Sequence, residues 1–306
     1  MDDGVPGTVL QGTGGQWQVR LADGSTRTAA LRGRVKHIAG RKLAVGDEVA
    51  LTHDPATEAW AISEILPRRS QLARRSPSGH GERVVVANVD QVVVVFAMVK
   101  PEPNEKMLDR FLVIAEANGV AARIVINKVD LAAQGDASAR FAPYAALGYP
   151  LHLTSTRTGE GLEALHEALR GRTSALTGPS GVGKSSLLNA LYPGVDLRVG
   201  AISESVNKGR HTTVGALMHP LPDGGYVVDT PGLREVGLWG IEARQLDRCF
   251  PEFVPTLDEC RFADCRHQAE PECGVRSALA EGRIATGRYE SYLKLREEVE
   301  QGQRSW

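Results

Sequence analysis

Two textures of apolar and polar positions divide the chain. Over residues 5–66, short alternating stretches, TVLQG, QWQVRL, TRTAALRG, DEVALTH and WAISEIL, are split by Gly-Gly, Asp-Gly, Val-Gly-Asp and Asp-Pro. Alternation with period two, bounded by turn residues, predicts half-buried strands. About five of them in about 65 residues predict a small β-barrel, OB-type or SH3-like. RRSQLARRSPSGHGERV has no periodicity and is rich in Ser, Gly, Pro and Arg, as a linker is. From Val84 the texture changes to VVVANVDQVVVVFAMV, a buried-strand run. NEKMLDRFLVIAEANG then places Met107, Leu108, Phe111, Leu112 and Ala115 at helical spacing, with Asn104 as N-cap. The strands ARIVIN, LHLTS and TSALTG follow, with helices predicted over GEGLEALHEALRG and from about Lys184. This βαβα alternation predicts a parallel sheet with helices on both faces. It stops after about Gly237, where a Cys-containing segment and a polar helical tail, YESYLKLREEVEQ, complete the chain.

The 306 residues suit two or three domains, and 42% hydrophobic with 24% charged residues suits packed cores rather than disorder. The expected division is a barrel over 1–75, an α/β domain over 76–238 and a Cys-containing domain with helices over 239–306. MDDGVPGTVLQG opens with two acids and has no apolar leader core. The longest apolar run, Val92 to Val99, is of strand length, far short of the ~18 residues of a membrane span. A soluble cytoplasmic protein is the expectation. Net charge is -1, which argues against a purely electrostatic nucleic-acid binder, but the basic residues are clustered. Residues 1–83 hold 12 Lys and Arg against 9 Asp and Glu. Arg32, Arg34, Lys36, Arg41 and Lys42 fall together without an acid, and Arg68, Arg69, Arg74 and Arg75 follow. Such blocks fit a phosphate-rich partner.

Gly178-Pro179-Ser180-Gly181-Val182-Gly183-Lys184-Ser185 fits G-x-x-x-x-G-K-[ST], between a predicted strand and a predicted helix. Glycines let backbone N–H groups wrap a phosphate at a helix N-terminus. Lys184 is placed to bridge β and γ oxygens, and the Ser185 hydroxyl to ligate Mg²⁺. Asn127-Lys128-Val129-Asp130 ends the strand ARIVIN. A carboxylate there accepts from guanine N1–H and its exocyclic amine; adenine offers neither, and a polar mismatch of this kind discriminates by about 10⁴-fold. Ser155, in Thr154-Ser155-Thr156, supports the base from the next strand end. Asp229-Thr230-Pro231-Gly232 follows GGYVVDT, where Asp229 can hold the Mg²⁺ hydration shell and the Gly232 N–H can meet the γ-phosphate. Thr212 or Thr213, in SESVNKGRHTTVG, can reach Mg²⁺ in a loop that orders around GTP.

The motif order is unusual: NKVD and TST precede the phosphate loop, RHTT and DTPG. This is a circular permutation of the ordinary GTPase order, and it makes the DTPG switch lead directly into the C-terminal segment. There, Cys260-x₄-Cys265-x-His267-x₅-Cys273 offers three thiolates and an imidazole, a closed tetrahedral donor set for structural Zn²⁺. Cys249 stands apart as a buried thiol.

This series of motifs resembles the ribosome small-subunit-dependent GTPase A family of bacterial circularly permuted GTPases, over nearly the whole chain. The resemblance implies an OB-type barrel, a circularly permuted P-loop GTPase domain and a small zinc-binding domain. It implies guanine contacts for Asn127, Lys128 and Asp130, phosphate contacts for Gly178 through Ser185 and Ser186, and zinc ligation by Cys260, Cys265, His267 and Cys273. It also implies action on the 30S subunit and 16S rRNA late in maturation, with turnover stimulated by the 30S subunit. Leu233 stands where Ras-like enzymes place the water-orienting Gln, so slow intrinsic turnover is expected. His211 resembles the histidine proposed for that role in the family; a switch-loop histidine without catalytic part is the other reading of it. Alternatives to a GTP hydrolase are an rRNA-binding module with vestigial hydrolysis, and a membrane-associated regulatory GTPase, for which no anchor signal is seen. A monomer without membrane contact is expected.

Overall fold

The computed structural model describes residues 4–31, 42–75, 82–133, 135–193, 216–229, 238 and 241–304. They belong to two units, one of Met1–Val93, Leu162–Thr177 and Lys184–Val236, the other of Val94–Gly161, Gly178–Gly183 and Gly237–Trp306.

In the first unit, the five predicted strands form: β1 (Val5–Thr13), β2 (Gln16–Leu21), β3 (Thr26–Leu31), β4 (Glu48–Asp54) and β5 (Ala59–Ile65). They close into a barrel in the order β1-β2-β3-β5-β4. β1 pairs antiparallel with both β2 and β4, while β3 runs parallel to β5, Ala29 opposite Trp60. A meander would pair each strand with its neighbour in sequence. The β3–β5 crossover is the Greek-key closure of an OB-type barrel, which decides between the two barrel types. The inward positions, Val9, Val19, Ala29, Val49, Leu51 and Ile62, form a fully buried core.

Residues 71–75 and 82–87 depart from the linker expectation. Gln71–Arg75 (β6) and Glu82–Ala87 (β7) pair as an antiparallel ladder. The single apolar run read from Val84 is two strands, because Asn88 takes a left-handed φ of 55° between β7 and β8 (Gln91–Ala97). The buried Asn88 side chain accepts from Arg69 N and donates to Gly46 O, replacing ladder bonds at the break. Arg68 is not free for phosphate: its Nε and Nη2 reach the fully buried Asp47 carboxylate at 2.7 and 2.9 Å. Arg69 pairs with Asp90 at 3.0 Å. The Arg32, Arg34, Lys36 and Arg41 positions lie outside the described residues, as do the side chains of Arg74 and Arg75.

In the second unit β8 is followed by α1 (Glu105–Ala117), capped by Asn104, whose side chain accepts from Met107 N at 3.1 Å. The predicted apolar face is buried at Leu108, Phe111, Leu112 and Ala115, but Met107 is exposed and Asp109 is buried instead. Next come β9 (Ala121–Asn127), α2 (Asp136–Ala146) and β10 (Leu151–Leu153), with β9 and β10 parallel. The helix α2 lies outside the sequence expectations: Gly135 before it and Pro143 inside it interrupt the helical pattern, yet Phe141 and Tyr144 pack inside.

The first unit then resumes with α3 (Leu162–Leu169), β11 (Thr173–Thr177), α4 (Lys184–Leu191), β12 (Leu217–Pro220) and β13 (Tyr226–Asp229). β11 and β13 are parallel and β12 is antiparallel to β13. The second unit ends with α5 (Gly274–Ala280) and α6 (Thr286–Arg304). The expected polar tail is not polar on both faces, since Arg288, Ser291, Tyr292, Leu295, Arg296 and Val299 are buried. On α6, Arg288 donates to Asp109 of α1 at 2.7 Å and grips Glu252 with Nε and Nη2 at 2.6 and 3.1 Å. Asp109 also accepts from Tyr144 and from Ser291. Among the described residues no helix is long and apolar enough to cross a membrane.

Candidate functional site

Asn127 and Lys128, of the candidate base-reading turn, and residues 178–183, of the candidate phosphate loop, meet in the second unit. Asn127 ends β9, and Lys128 follows with a left-handed φ of 61°, which turns the chain into a single 3-10 turn over Val129–Leu131. Asn127 is 1% exposed, and both ends of its amide are engaged. Its Nδ2 donates to Val182 O at 3.0 Å and its Oδ1 accepts from Thr154 Oγ1 at 3.3 Å. Lys128 Nζ donates to the carbonyls of Lys100 and Gly181 at 2.5 and 2.6 Å. The base-reading turn is thereby fastened to the loop 178–183 at two carbonyls.

The glycines of that loop are demanded by its neighbours. Gly178 has φ 136°, and a Cβ there would stand 2.0 Å from Val95 O. Gly183 has φ 97°, and a Cβ would meet Asn127 Nδ2 at 2.4 Å. Any side chain at either position would therefore push the phosphate loop off β8 or off Asn127. Pro179 and Ser180 lie between, Ser180 exposed, and Lys184, Ser185 and Ser186 make the first turn of α4.

The Asp130 carboxylate is held on both oxygens. Ser155 Oγ donates to Oδ1 at 2.5 Å, and Arg157 Nε donates to Oδ2 at 2.7 Å. Ser155 Oγ in turn accepts from the N–H groups of Arg157 and Thr158, which fixes its rotamer. The hydrogen bond from Ser155, then the one from Arg157, hold the Asp130 carboxyl below the usual carboxylate range. The carboxylate is thus ionised and aimed, as two donors from a base edge require. Arg157 was missed in the sequence; its only signal there is a cation two residues after Ser155.

Asp229 ends β13, at the strand's C-terminal edge as expected. His211, Thr212, Thr213, Gly232 and Leu233 lie outside the described residues.

The second cluster stands in the C-terminal part of the second unit. One donor atom from each of Cys260, Cys265, His267 and Cys273 lies within 4.8 Å of all the others. His267 Nδ1 is 3.4 Å from Cys273 Sγ and 3.6 Å from Cys260 Sγ. A tetrahedral zinc with bonds of about 2.3 Å to sulfur and about 2.05 Å to nitrogen sets those atoms about 3.6 Å apart, so the residues fit the ion. All four cysteines are free thiols. Burial pushes the Cys265 thiol up to about 12. Burial likewise raises Cys249 to about 12, and that thiol stands outside the cluster, as expected. Phe250, Phe253 and Tyr292 pack ring on ring beside His267, giving this small segment an aromatic core.

Comparison with known proteins places these features together. The model of the RsgA GTPase family matches residues 65–239. A protein of Gemmatimonas aurantiaca described as small ribosomal subunit biogenesis GTPase RsgA is 61% identical over 303 residues, 98% of this chain and 99% of its own. One of the same description from Chlorobaculum tepidum is 39% identical over 305 residues, covering 96% and 98%. Among solved structures, YjeQ from Thermotoga maritima aligns with a TM-score of 0.80 at 37% identity, covering 96% of this chain and 98% of that one. YloQ, titled a circularly permuted GTPase, aligns at 0.75 and 28% identity, covering 98% and 96%.

Proposed function

The chain belongs to the RsgA GTPase family, and on that premise we propose that it binds GTP, hydrolyses it to GDP and phosphate, and times its stay on the small ribosomal subunit by that reaction. The observation that carries the reading is the clasp between Asn127, Lys128 and the loop 178–183, which joins a guanine reader to a phosphate cradle. In this reading Asp130 accepts from guanine N1–H and the exocyclic amine while Asn127, Val129 and Ser155 hold its loop. The N–H groups of residues 178–186 wrap the phosphates, Lys184 offsets charge developing on the β and γ oxygens, and Ser185 and Asp229 place the Mg²⁺ that accompanies GTP. When bound, Mg²⁺ would supply charge neutralisation on the phosphates. Thr212, Thr213 and Gly232 sense the γ-phosphate, and His211 orients the attacking water in place of a glutamine.

The acting partner is the 30S subunit with its 16S rRNA, late in maturation and in the cytoplasm, met by a monomer with no membrane contact. The OB-type barrel of residues 1–75 contacts RNA, residues 76–238 form the permuted GTPase domain, and residues 239–306 hold one structural Zn²⁺ at Cys260, Cys265, His267 and Cys273. That ion ties four loop positions that have too small a core to hold themselves. The test is GTP turnover titrated with isolated 30S subunits, for the wild type and for Lys184→Ala. A slow wild-type rate that rises with 30S, and is abolished by K184A, is expected. A rate indifferent to 30S, or K184A turning over normally, would sink the proposal.

A further inference from the structure

The Cys/His cluster is completed by a residue outside its own motif. His267 is 2% exposed and presents Nδ1 to the sulfurs of Cys273 and Cys260. Its other nitrogen, Nε2, lies 3.3 Å from Oδ2 of Asp247, twenty residues earlier on the 3-10 turn Leu246–Cys249. That carboxylate is held as well: its Oδ1 accepts from Arg248 N at 2.8 Å, and the side chain is 15% exposed. The main chain at His267 is pinned from α6, where Tyr289 OH donates to His267 O at 2.5 Å and Tyr292 OH to Arg266 O at 3.1 Å. Such anchoring keeps the left-handed φ of 59° at His267 and thereby the direction of its ring.

We infer that Asp247 is the positioning carboxylate of this metal site: it fixes His267 with its proton on Nε2, so that Nδ1 carries the lone pair that binds the ion. A neutral imidazole has one donor and one acceptor nitrogen, and a carboxylate only accepts. The nitrogen facing Asp247 therefore carries the proton, and the one facing the thiols is the acceptor. The neighbouring rings of Phe253 and Tyr292 offer no hydrogen-bonding atom to choose between the imidazole nitrogens, whereas the carboxylate of Asp247 faces Nε2. The inference rests on the zinc reading of the cluster.

The test uses the full zinc-loaded chain. Zinc release to a coloured chelator is timed for wild type, Asp247→Ala and Asp247→Asn, and the tautomer is read by nitrogen NMR of labelled histidine. Release from D247A is expected to be about 10–100-fold faster than from wild type. D247N, which has the same shape and an accepting carbonyl but no charge, falls between. The wild-type spectrum should show the metal on Nδ1 and the proton on Nε2. If D247A does not fold, as judged by guanine-nucleotide affinity and thermal unfolding, the isosteric D247N carries the comparison. Release at the wild-type rate from the folded variants, or a spectrum with the metal on Nε2, would overturn the role of Asp247 alone. A wild-type chain that takes up no zinc would overturn the zinc reading and this role with it.

Discussion

Asn127 donates to the carbonyl of Val182 across 55 residues of chain, and the backbone of Gly183 has room for that amide only because it has no Cβ. The turn after β9 and the loop 178–183 are therefore held together by this bond and by the one from Lys128 to Gly181 O. Asn127→Ala should leave Val182 O and Thr154 Oγ1 short of a partner inside the protein, at a cost of about 1–3 kcal/mol. Urea unfolding should report that loss, and the affinity for a fluorescent GDP should fall at least about tenfold. A mutant with normal affinity would show that the clasp does not set the loop.

Asp130→Asn exchanges an acceptor-only group for one that also donates. Xanthine has an oxygen where guanine has its exocyclic amine, so the mutant should lose GTP affinity and gain XTP affinity. The expected shift in preference is on the order of 10³-fold or more, in line with other buried polar mismatches. Competition between the two nucleotides measures it, and an unchanged preference for GTP would remove Asp130 from the base site.

The loops that carry chemistry were legible because their residue types are required locally. A left-handed turn needs Gly or a tolerated polar residue, a phosphate cradle needs exposed N–H groups, and soft ligands need close spacing. Gly178, Gly183, Asn127 and the Cys/His motif could accordingly be placed by reading along the chain. The barrel strands were legible from alternation and the barrel from their number, but its type was not, since the β3–β5 pairing is set by the crossover and not by either strand's pattern. Contacts between distant segments left no mark. Asp109 reads as a solvated helix position until Arg288, 179 residues later, packs over it. Arg157 and Asp247 likewise acquire a partner only when the chain is folded.

Arg288 is 5% exposed and stands between two carboxylates that are as deeply buried. Arg288→Ala should cost about 3–5 kcal/mol, because it leaves both charges without a counterion. Glu290→Ala, on the same helix as Arg288, breaks the exposed 3.3 Å pair with Lys106 of α1 and should cost at most about 1 kcal/mol. Urea midpoints of the two variants provide the comparison, and equal midpoints would contradict the network.

Glu270 gives the Cys/His loop a pH dependence. Its carboxylate accepts from the N–H groups of Arg266, Gln268 and Ala269 at 3.0, 2.9 and 3.1 Å. Burial alone would raise its pKa; its own and the neighbouring N–H groups outweigh burial and hold it at about 2, below the ordinary 4.5. The stabilisation is complete above about 4.5 and is lost as pH falls through about 2. The stability gap between wild type and Glu270→Gln should thus be level from neutral pH to about 4.5 and close below it. Urea midpoints of the two chains, compared at each pH, would reveal the opposite trend if the loop were not built this way.

The Asp109–Arg288 contact also bears on how such a chain can be cut and joined. The family match ends at residue 239, yet the counterion for a helix inside that stretch is supplied by residue 288. A fragment trimmed to the match would lose that cation together with the helix that covers Asp109, leaving Tyr144 as its partner. The cation is lost as well in a chimera that borrows its last 70 or so residues from a relative lacking an arginine there. Segment exchange in this protein is consequently limited by one charge carried on each side of the seam, and a workable hybrid must move α1 and α6 together or neutralise both.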